Sequence, residues 1–355
     1  MASLPIVWSD SHRGHEPGAE IYVGVRTPGT EVPARAERIR EALEGAGARL
    51  VPARSHPDGA VTDVHDAELV SYLEGAWAAW TAAGLDRDPG QDRVVPYLFP
   101  HPGLLGATAP REPAAAAARA GRHAYDTMTL IGPGTWAAAR AAADVALTAA
   151  TLVTEGENAA YACCRPPGHH VTRDAFGGSC YLNNAAIAAR HLQEVIDGRI
   201  AVLDIDAHHG NGTQSIFWDD TEVLTGSVHV DPGAGWFPHY LGFADERGGG
   251  RAEGMNLNLP LAPRSGDEAW LAAVDRLAGW AAAGEARALV VALGVDAAGG
   301  DPESPLEVTV EGYAAAGAIL RGMGLPTVIV QEGGYDLDTI GELVLAAVRP
   351  FWAPA

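Results

Sequence analysis

Cysteine and positive charge are both scarce in this chain of 355 residues. Three cysteines, Cys163, Cys164 and Cys180, are too few for a disulfide framework in so long a chain, so we expect a reduced, cytoplasmic setting. Lys and Arg total 24 against 45 Asp and Glu, a formal net charge of -21. This balance disfavours a nucleic-acid-binding protein, which normally carries a basic patch. It suits a positively charged small substrate, and a generally acidic, solubilising surface is the alternative explanation.

Targeting signals, membrane spans and repeats are also lacking. The segment from Met1 to Asp10 has neither a basic nor an apolar region, so we expect no secretory signal. The apolar stretch from Thr135 to Val153 is interrupted by Arg140 and Asp144, which predicts a soluble helix and no membrane partner. No internal repeat of solenoid or propeller length is visible. Without a sharp break in composition, residues 1–355 are expected to form a single domain.

Short apolar runs alternate with helical stretches after about residue 135. We expect strands at 161–164, 200–205, 288–294 and 327–331, and helices at 184–196, 267–283 and 309–323. This alternation predicts an α/β fold with a central, mostly parallel sheet covered by helices on both faces. In such sheets the ligand site lies beyond the carboxyl ends of the strands.

The first part of the chain is less regular. Residues 31–43 are expected to enter an amphipathic helix and residues 67–80 to form another. A Pro- and Ala-rich insertion at 96–122 is long and weakly patterned, as functional loops or linkers often are.

Polar clusters follow all four expected strands. In AVLDIDAHHGNGT, residues 201–213, a strand that extended through the motif would place Asp204, Asp206 and His208 on one face. Two carboxylates and an imidazole there make a poor core but a good metal site. The other clusters are RPPGHH at 165–170, GVDAAGGDP at 294–302 and QEGGYD at 331–336.

Together these clusters supply the parts of a hydrolytic metal centre. Asp206, His208 and Asp296 would leave an open coordination position, the pattern of a catalytic metal. Zinc is favoured, and Fe(II) and Co(II) stay open because the set is oxygen-rich. His169, His170 and Tyr335 are the candidates for the base, its partner and the oxyanion donor that hydrolysis requires.

These motifs, with FGGSCYLNNAA at 176–186, resemble the histone deacetylase superfamily, which has the arginase–deacetylase fold. They follow the order and spacing of that family across residues 161–336. The opening IVWSDSHRGHEPGAEIYVG, the EVPARAERI helix entry and HVDPGAGWFPHYLGFADERG at 229–248 are similar to its bacterial acetylpolyamine amidohydrolase branch. The resemblance therefore covers nearly the whole chain.

The resemblance implies a role for each motif residue. Asp206, His208 and Asp296 would bind zinc, and His170 would be the main general base and acid. His169 would help to polarise the water with support from Asp204, while Asn211 would support His170. Tyr335 would donate its phenolic hydrogen to the amide carbonyl and then to the oxyanion.

Members of the family also hold potassium ions near the zinc site. The resemblance places one potassium site at Asp204, Ser227 and the main-chain oxygens of Asp206, His208 and Val228. It places a second at Phe217, Asp220 and Val223.

The substrate channel departs from the family pattern at one position. Gly178, Ser179, Phe237 and Gly333 would line the channel, and Ser179 stands where the family usually has an aromatic residue. The smaller side chain should widen the channel at this wall or weaken the contact of the wall with an alkyl chain. Glu20 and Glu112 are candidates for recognising a polyamine tail, and Tyr125 and Asp126 for the rim. In the acetylpolyamine branch the insertion packs against a second subunit, which here implies a homodimer; a flexible surface loop is the alternative.

The leading hypothesis is therefore a deacetylase acting on small acetylated amines such as N-acetylpolyamines. A lysine deacylase acting on proteins, or a tailoring deacetylase of a specialised metabolite, is the alternative within the same chemistry. A catalytically silent binding protein would have lost a ligand or the tyrosine, and all of them are present. An arginase-like dimanganese enzyme would need further carboxylates where this chain has RPPGHH.

Overall fold

Eight parallel strands form the central sheet in the computed structural model, which describes residues 4–87 and 90–352. Their order across the sheet is β4-β1-β5-β10-β9-β6-β7-β8, and β2 and β3 form a separate antiparallel hairpin. The strands are β1 Pro5–Trp8, β2 Glu20–Tyr22, β3 Val25–Thr27, β4 Arg49–Pro52, β5 Ala159–Ala162, β6 Ile200–Asp204, β7 Val223–Val230, β8 Asn256–Leu261, β9 Ala288–Leu293 and β10 Thr327–Gln331.

Helices connect the strands and cover both faces of the sheet. They are α1 Ala34–Gly45, α2 Gly59–Thr62, α3 Ala67–Ala82, α4 Pro102–Leu105, α5 Ala116–His123, α6 Thr135–Thr154, α7 Asn184–Val195, α8 Asn211–Phe217, α9 Asp267–Ala283, α10 Val310–Gly322 and α11 Ile340–Val348. The short 3-10 helices are Asp10–Gly14, Pro232–Ala234, Gly250–Ala252 and Arg349–Trp352.

The strand sequences explain why both faces are covered. Neighbouring residues point to opposite faces, so Val202 joins a core that includes α3, α6 and α7, while Leu203 joins one that includes α1, α9, α10 and α11. Both kinds of position are apolar and buried. A parallel sheet requires this, because its crossover helices lie on both sides. The predicted α/β fold is thereby confirmed.

Most predicted elements lie within two residues of the observed ones. Strand β6 ends at Asp204, one residue before its expected end, so it does not extend through Asp206 and His208 and the one-face placement that such an extension would give is not formed. The Asp206 N–H donates to Asp204 Oδ1 at 3.1 Å, and the His208 N–H donates to Asp206 Oδ1 at 2.8 Å. These local bonds replace ladder bonds and curl the chain away from the sheet.

The apolar stretch near residue 135 forms α6. It is long and apolar enough to cross a membrane by length and composition, yet 67% of its most apolar window is buried inside the protein. Thirteen of its 20 residues, among them Ala146 and Leu147, are buried. Its apolarity is therefore explained by packing in the core.

The insertion at 96–122 is more regular than its sequence suggests. It contains α4 and most of α5, and the run of alanines before Arg119 accounts for the second helix. Tyr97, Leu98 and Leu104 nevertheless remain exposed, at 72%, 46% and 64%.

Candidate active site

The carboxyl ends of β6, β9 and β10 bring the predicted metal ligands together. These strands are neighbours in the sheet, so the loops that follow them converge. His208 Nδ1 lies 3.0 Å from Asp296 Oδ2 and 3.4 Å from Asp206 Oδ1. One ligand atom from each of the three residues lies within 4.8 Å of the others. The structure thus places the three residues as a metal site requires.

The electrostatics of this cluster suit a divalent cation. Asp206 and Asp296 are fully buried, and burial together with the Asp206 charge raises the pKa of Asp296 to about 7. Two buried carboxylates this close are costly without a compensating positive charge. Two oxygen donors and one imidazole nitrogen, with room for a further ligand, match a catalytic zinc site. The residues therefore fit the metal that the fold family implies.

The glycines of the last loop permit this close arrangement. The Gly333 N–H donates to Asp206 Oδ2 at 2.8 Å. A Cβ atom at Gly333 would lie 2.5 Å from Asp296 Oδ2 and 2.6 Å from Asp206 Oδ2. Only glycine allows the backbone to approach both carboxylates, so Gly333 belongs to the metal site as much as to the channel.

The tandem histidines lie on the turn that follows β5. Each is oriented by a different partner: His169 Nδ1 lies 2.8 Å from Asp204 Oδ2, and His170 Nδ1 lies 2.7 Å from Asn211 Oδ1. Their ring centroids are 3.9 Å apart. Asp204 and Asn211 therefore each lie against the Nδ1 atom of one of the two histidines.

The two histidines have opposite protonation preferences. Burial alone would lower the pKa of His169, but the Asp204 and Asp206 carboxylates raise it to about 10. Burial and the charge on His169 hold the pKa of His170 well below its usual value. These opposite shifts favour the protonated form of His169 and the neutral form of His170.

Tyr335 follows β10, and both its ring and its backbone are held by neighbouring residues. The Arg35 guanidinium lies 4.5 Å from the centroid of its ring. The Tyr335 backbone N–H donates to Asp301 Oδ2 at 2.6 Å. Burial and the nearby Glu303 carboxylate raise the pKa of the Tyr335 phenol well above 10. The phenol is therefore neutral at pH 7 and able to donate a hydrogen bond.

An aromatic wall stands beside His170. The Phe237 ring lies 4.8 Å from the His170 ring, and Tyr125 stacks on Phe237 at 6.5 Å. The Tyr125 hydroxyl donates to the His170 carbonyl at 2.9 Å, so Tyr125 supports the wall from behind.

The facing turn contains Gly178 and Ser179. Ser179 has a φ of 61°, and its N–H donates to Thr129 Oγ1 at 2.9 Å. A Cβ atom at Gly178 would overlap the His170 ring, which explains why glycine precedes the serine. The turn thus lies against the catalytic histidine and presents a small side chain.

The candidates for substrate recognition are not equivalent. Glu112 is exposed and accepts a hydrogen bond from Arg119 at 2.6 Å. Asp126 accepts from the N–H groups of Met128, Thr129 and Gly178, so its carboxylate shapes the turn. Glu20 is partly buried, and burial and the Glu303 charge raise its pKa to about 7. Of these three, Glu20 has the electrostatics of a cation-recognising group.

The residues expected at potassium are also neighbours. Asp204 of β6 is paired with Ser227 of β7, and Val228 follows. At the second location the Asp220 N–H donates to the Phe217 carbonyl at 3.0 Å, and Asp220 Oδ2 lies 2.5 Å from Arg190. Val223 begins β7 shortly afterwards.

Three residues near the site were missed by the sequence analysis. Glu332 Oε2 accepts from the N–H groups of Gly168 and His169 at 2.6 and 3.1 Å, and so fixes the histidine turn. Arg35 donates to the Glu332 carbonyl at 2.7 Å. Glu303 follows the GVDAAGGDP motif directly. Glu332 lies inside the QEGGYD motif, so the sequence could have indicated it as a site residue. The roles of Arg35 and Glu303 depend on contacts between distant segments.

Comparisons with known proteins identify the family to which the chain belongs. The histone deacetylase domain matches residues 29–351. The chain is 40% identical to acetylpolyamine amidohydrolase 1 of Pseudomonas aeruginosa over 94% of this chain and 95% of the relative. It is 39% identical to acetylpolyamine amidohydrolase of Mycoplana ramosa over 95% and 96%. The crystal structure of acetylpolyamine aminohydrolase from Burkholderia pseudomallei superposes with a TM-score of 0.92 at 37% identity, covering 99% of each chain.

The chain therefore belongs to the histone deacetylase family, and it is an enzyme that deacetylates. The predicted resemblance is confirmed, and with it the arginase–deacetylase fold of the domain.

Proposed function

We propose that this enzyme uses zinc to remove acetyl groups from small cationic amines, foremost N-acetylpolyamines. The observation that carries the proposal is the strand-end cluster of Asp206, His208 and Asp296 beside the paired histidines. The relatives named acetylpolyamine amidohydrolase support the choice of substrate.

The histidines would divide the proton transfers between them. With its Nδ1–H donated to Asn211, His170 keeps Nε2 free to accept a proton from water and later to return it to the leaving amine. His169, charged and paired with Asp204, would hold positive charge beside the reacting atoms. Zinc, held by the three ligands, would supply Lewis-acid polarisation of the carbonyl and a more acidic water.

Tyr335 would act on the other side of the amide. Its neutral phenol would donate to the carbonyl oxygen, and more strongly once that oxygen carries negative charge. Arg35 and Asp301 hold the ring and the backbone of Tyr335, so the donor is preorganised before the substrate arrives.

The substrate class is tested by measuring kcat/KM on zinc-loaded enzyme for N-acetylputrescine, N-acetylspermidine and acetyl-lysine peptides. We expect the acetylpolyamines to be preferred. A preference for peptides of about tenfold or more, or 1.4 kcal/mol in transition-state binding, would favour a protein lysine deacylase instead.

A tailoring deacetylase for a bulkier metabolite is the second candidate. Ser179 favours it, because a small residue on one wall leaves space opposite Phe237. The same substrate panel, extended to acetylated aromatic amines, separates the two functions.

Three further features belong to this proposal. Potassium would occupy the places described at Asp204 and at Asp220 and support the loops around them. The exposed side chains of the insertion, Tyr97, Leu98 and Leu104, would pack against a second copy of the chain in a homodimer. The enzyme would work in the cytoplasm and without nucleic-acid or membrane partners.

A further inference from the structure

Glu31 is a buried carboxylate that two arginines share. It lies between the β2–β3 hairpin and α1. Its Oε1 atom lies 2.7 Å from Arg35 Nη1 and 2.8 Å from Arg165 Nε. All three side chains are buried. Because a buried charge that loses its partner is strongly destabilised, both arginines depend on Glu31 for their place in the fold.

Arg35 connects Glu31 to the loop that carries the catalytic tyrosine. The Arg35 guanidinium donates to the backbone carbonyls of Glu332 and Gly334. It also lies 4.5 Å from the centroid of the Tyr335 ring. The Glu332 carboxylate is itself bound to the histidine turn, so the backbone that Arg35 contacts is anchored. One guanidinium therefore holds the Tyr335 ring against a fixed stretch of backbone.

Arg165 connects Glu31 to the histidine turn. It is the first residue of RPPGHH, the motif that ends in the tandem histidines. Its guanidinium donates to the carbonyls of His12 at 2.6 Å and His15 at 2.8 Å. Glu31 is therefore held from the side of the catalytic histidines, while it holds Arg35 on the side of the tyrosine.

Glu31 acts as an anion in this cluster. Burial alone would raise its pKa, but the charges of Arg165 and Arg35 and a contact with His15 hold that pKa well below the usual range of a carboxyl. The side chain therefore carries a negative charge at neutral pH. A neutral amide of the same shape would remove the one carboxylate that contacts both guanidinium groups.

We propose that Glu31 is a positioning residue for catalysis: it fixes Arg35, and through Arg35 it holds the Tyr335 phenol where the oxyanion forms. This inference rests on the proposed function, in which Tyr335 donates to the carbonyl oxygen, and it adds the residue that preorganises that donor. A misplacement of about 1 Å in a catalytic group can cost about 10²-fold in rate. Glu31 therefore affects turnover without touching the substrate.

A double-mutant cycle tests this role, with Glu31→Gln introduced into the wild type and into Tyr335→Phe. In the wild type we expect kcat for N-acetylputrescine to fall about tenfold or more, with KM within about twofold and the zinc content unchanged. In Tyr335→Phe the same substitution should lower kcat by less than about twofold, because the hydroxyl that it displaces is already absent. A purely structural role would lower kcat equally in both backgrounds.

Arg35→Lys is the second variant, and it decides the question if Glu31→Gln does not fold. Lysine keeps the positive charge beside Glu31, but it lacks the fork that reaches two carbonyls and the planar face that lies on the ring. It should reproduce the loss of kcat in the wild type and have little further effect in Tyr335→Phe.

Asp144→Asn is the matched control, since Asp144 is a partly buried carboxylate that pairs with Arg140 at 2.8 Å within α6. It should lower the temperature of thermal unfolding and leave kcat and KM unchanged. The control thereby separates lost stability from lost positioning.

The remaining outcomes contradict either this inference or the proposed function. Equal losses in both backgrounds, or a wild-type kcat in Glu31→Gln, would contradict the positioning role and leave the proposed function intact. A loss expressed in KM alone would contradict it as well, because it would assign Glu31 to substrate binding. If the wild type deacetylates acetyl-lysine peptides and not N-acetylputrescine, the proposed substrate is wrong, and the same cycle run with the peptide still tests Glu31.

Discussion

At the scale of single residues, several carboxylates of the site each contact two partners. Asp204 pairs with His169 and also accepts the Asp206 N–H. Asp206 belongs to the metal site and also accepts the Gly333 N–H. Asp301 accepts the N–H groups of both Tyr335 and Glu303. Because each carboxylate has two oxygens, one side chain can orient two partners. The donors and acceptors of the reaction are thereby held in place by residues that do not themselves touch the substrate.

Tyr335→Phe should lower kcat by about 10²–10³-fold, because an oxyanion donor is removed. The zinc content should not change, since Tyr335 is not among the three ligands. Steady-state kinetics with metal analysis on the same preparation checks both expectations. A kcat near the wild-type value would refute the oxyanion role.

At the scale of secondary-structure elements, the site depends on where strands end. Strands β6, β9 and β10 stop at one edge of the sheet, and tight loops then bring carboxylates and glycines together. Gly294 and Gly333 both approach the metal-site carboxylates closely, whereas Gly279 in α9 has open space around it.

Gly333→Ala should weaken zinc binding by about 10–100-fold, because the new Cβ would displace Asp206 and Asp296. Gly279→Ala is the matched control and should leave zinc affinity unchanged, with α9 stabilised by about 1 kcal/mol. Competition with a chromogenic chelator measures the affinity. Equal zinc affinity in both variants would show that Gly333 is not needed for the ligand geometry.

The elements were largely predictable, and the contacts between loops were not. The strand at 327–331 and the helix at 267–283 were predicted with their observed bounds, because a buried parallel strand and an amphipathic helix leave clear apolar patterns. Strands β1, β4, β7 and β8 and the β2–β3 hairpin were not named. Strand β6 ends one residue earlier than predicted, because the Asp204 and Asp206 side chains accept backbone N–H groups that would otherwise extend the ladder. The proximity of Glu20 to Glu303 was not predicted, since the two residues meet only through the tertiary fold.

At the scale of the whole molecule, net charge and exposed apolar side chains influence which substrates and partners the protein binds. The formal charge of -21 favours encounter with cations over nucleic acid. The insertion exposes three large apolar side chains, Tyr97, Leu98 and Leu104.

Leu104→Glu should shift a homodimer toward monomer, because a charge would be buried in the interface. Val195, 60% exposed at the end of α7, offers the control Val195→Glu, which should leave the mass unchanged. Light scattering after size exclusion gives the mass of each. A monomeric wild type, or a dimer that Leu104→Glu does not weaken, would contradict the proposed interface.

Asp296→Ala probes whether Asp206, His208 and Asp296 hold a catalytic zinc. Zinc per chain and acetate release from N-acetylputrescine are measured on wild-type and variant enzyme. We expect about one zinc per chain and full activity for the wild type, and loss of both in the variant, because a metal site with a missing ligand no longer holds its ion. A variant that retained one zinc per chain, or deacetylated without it, would show that the ligand set is wrong.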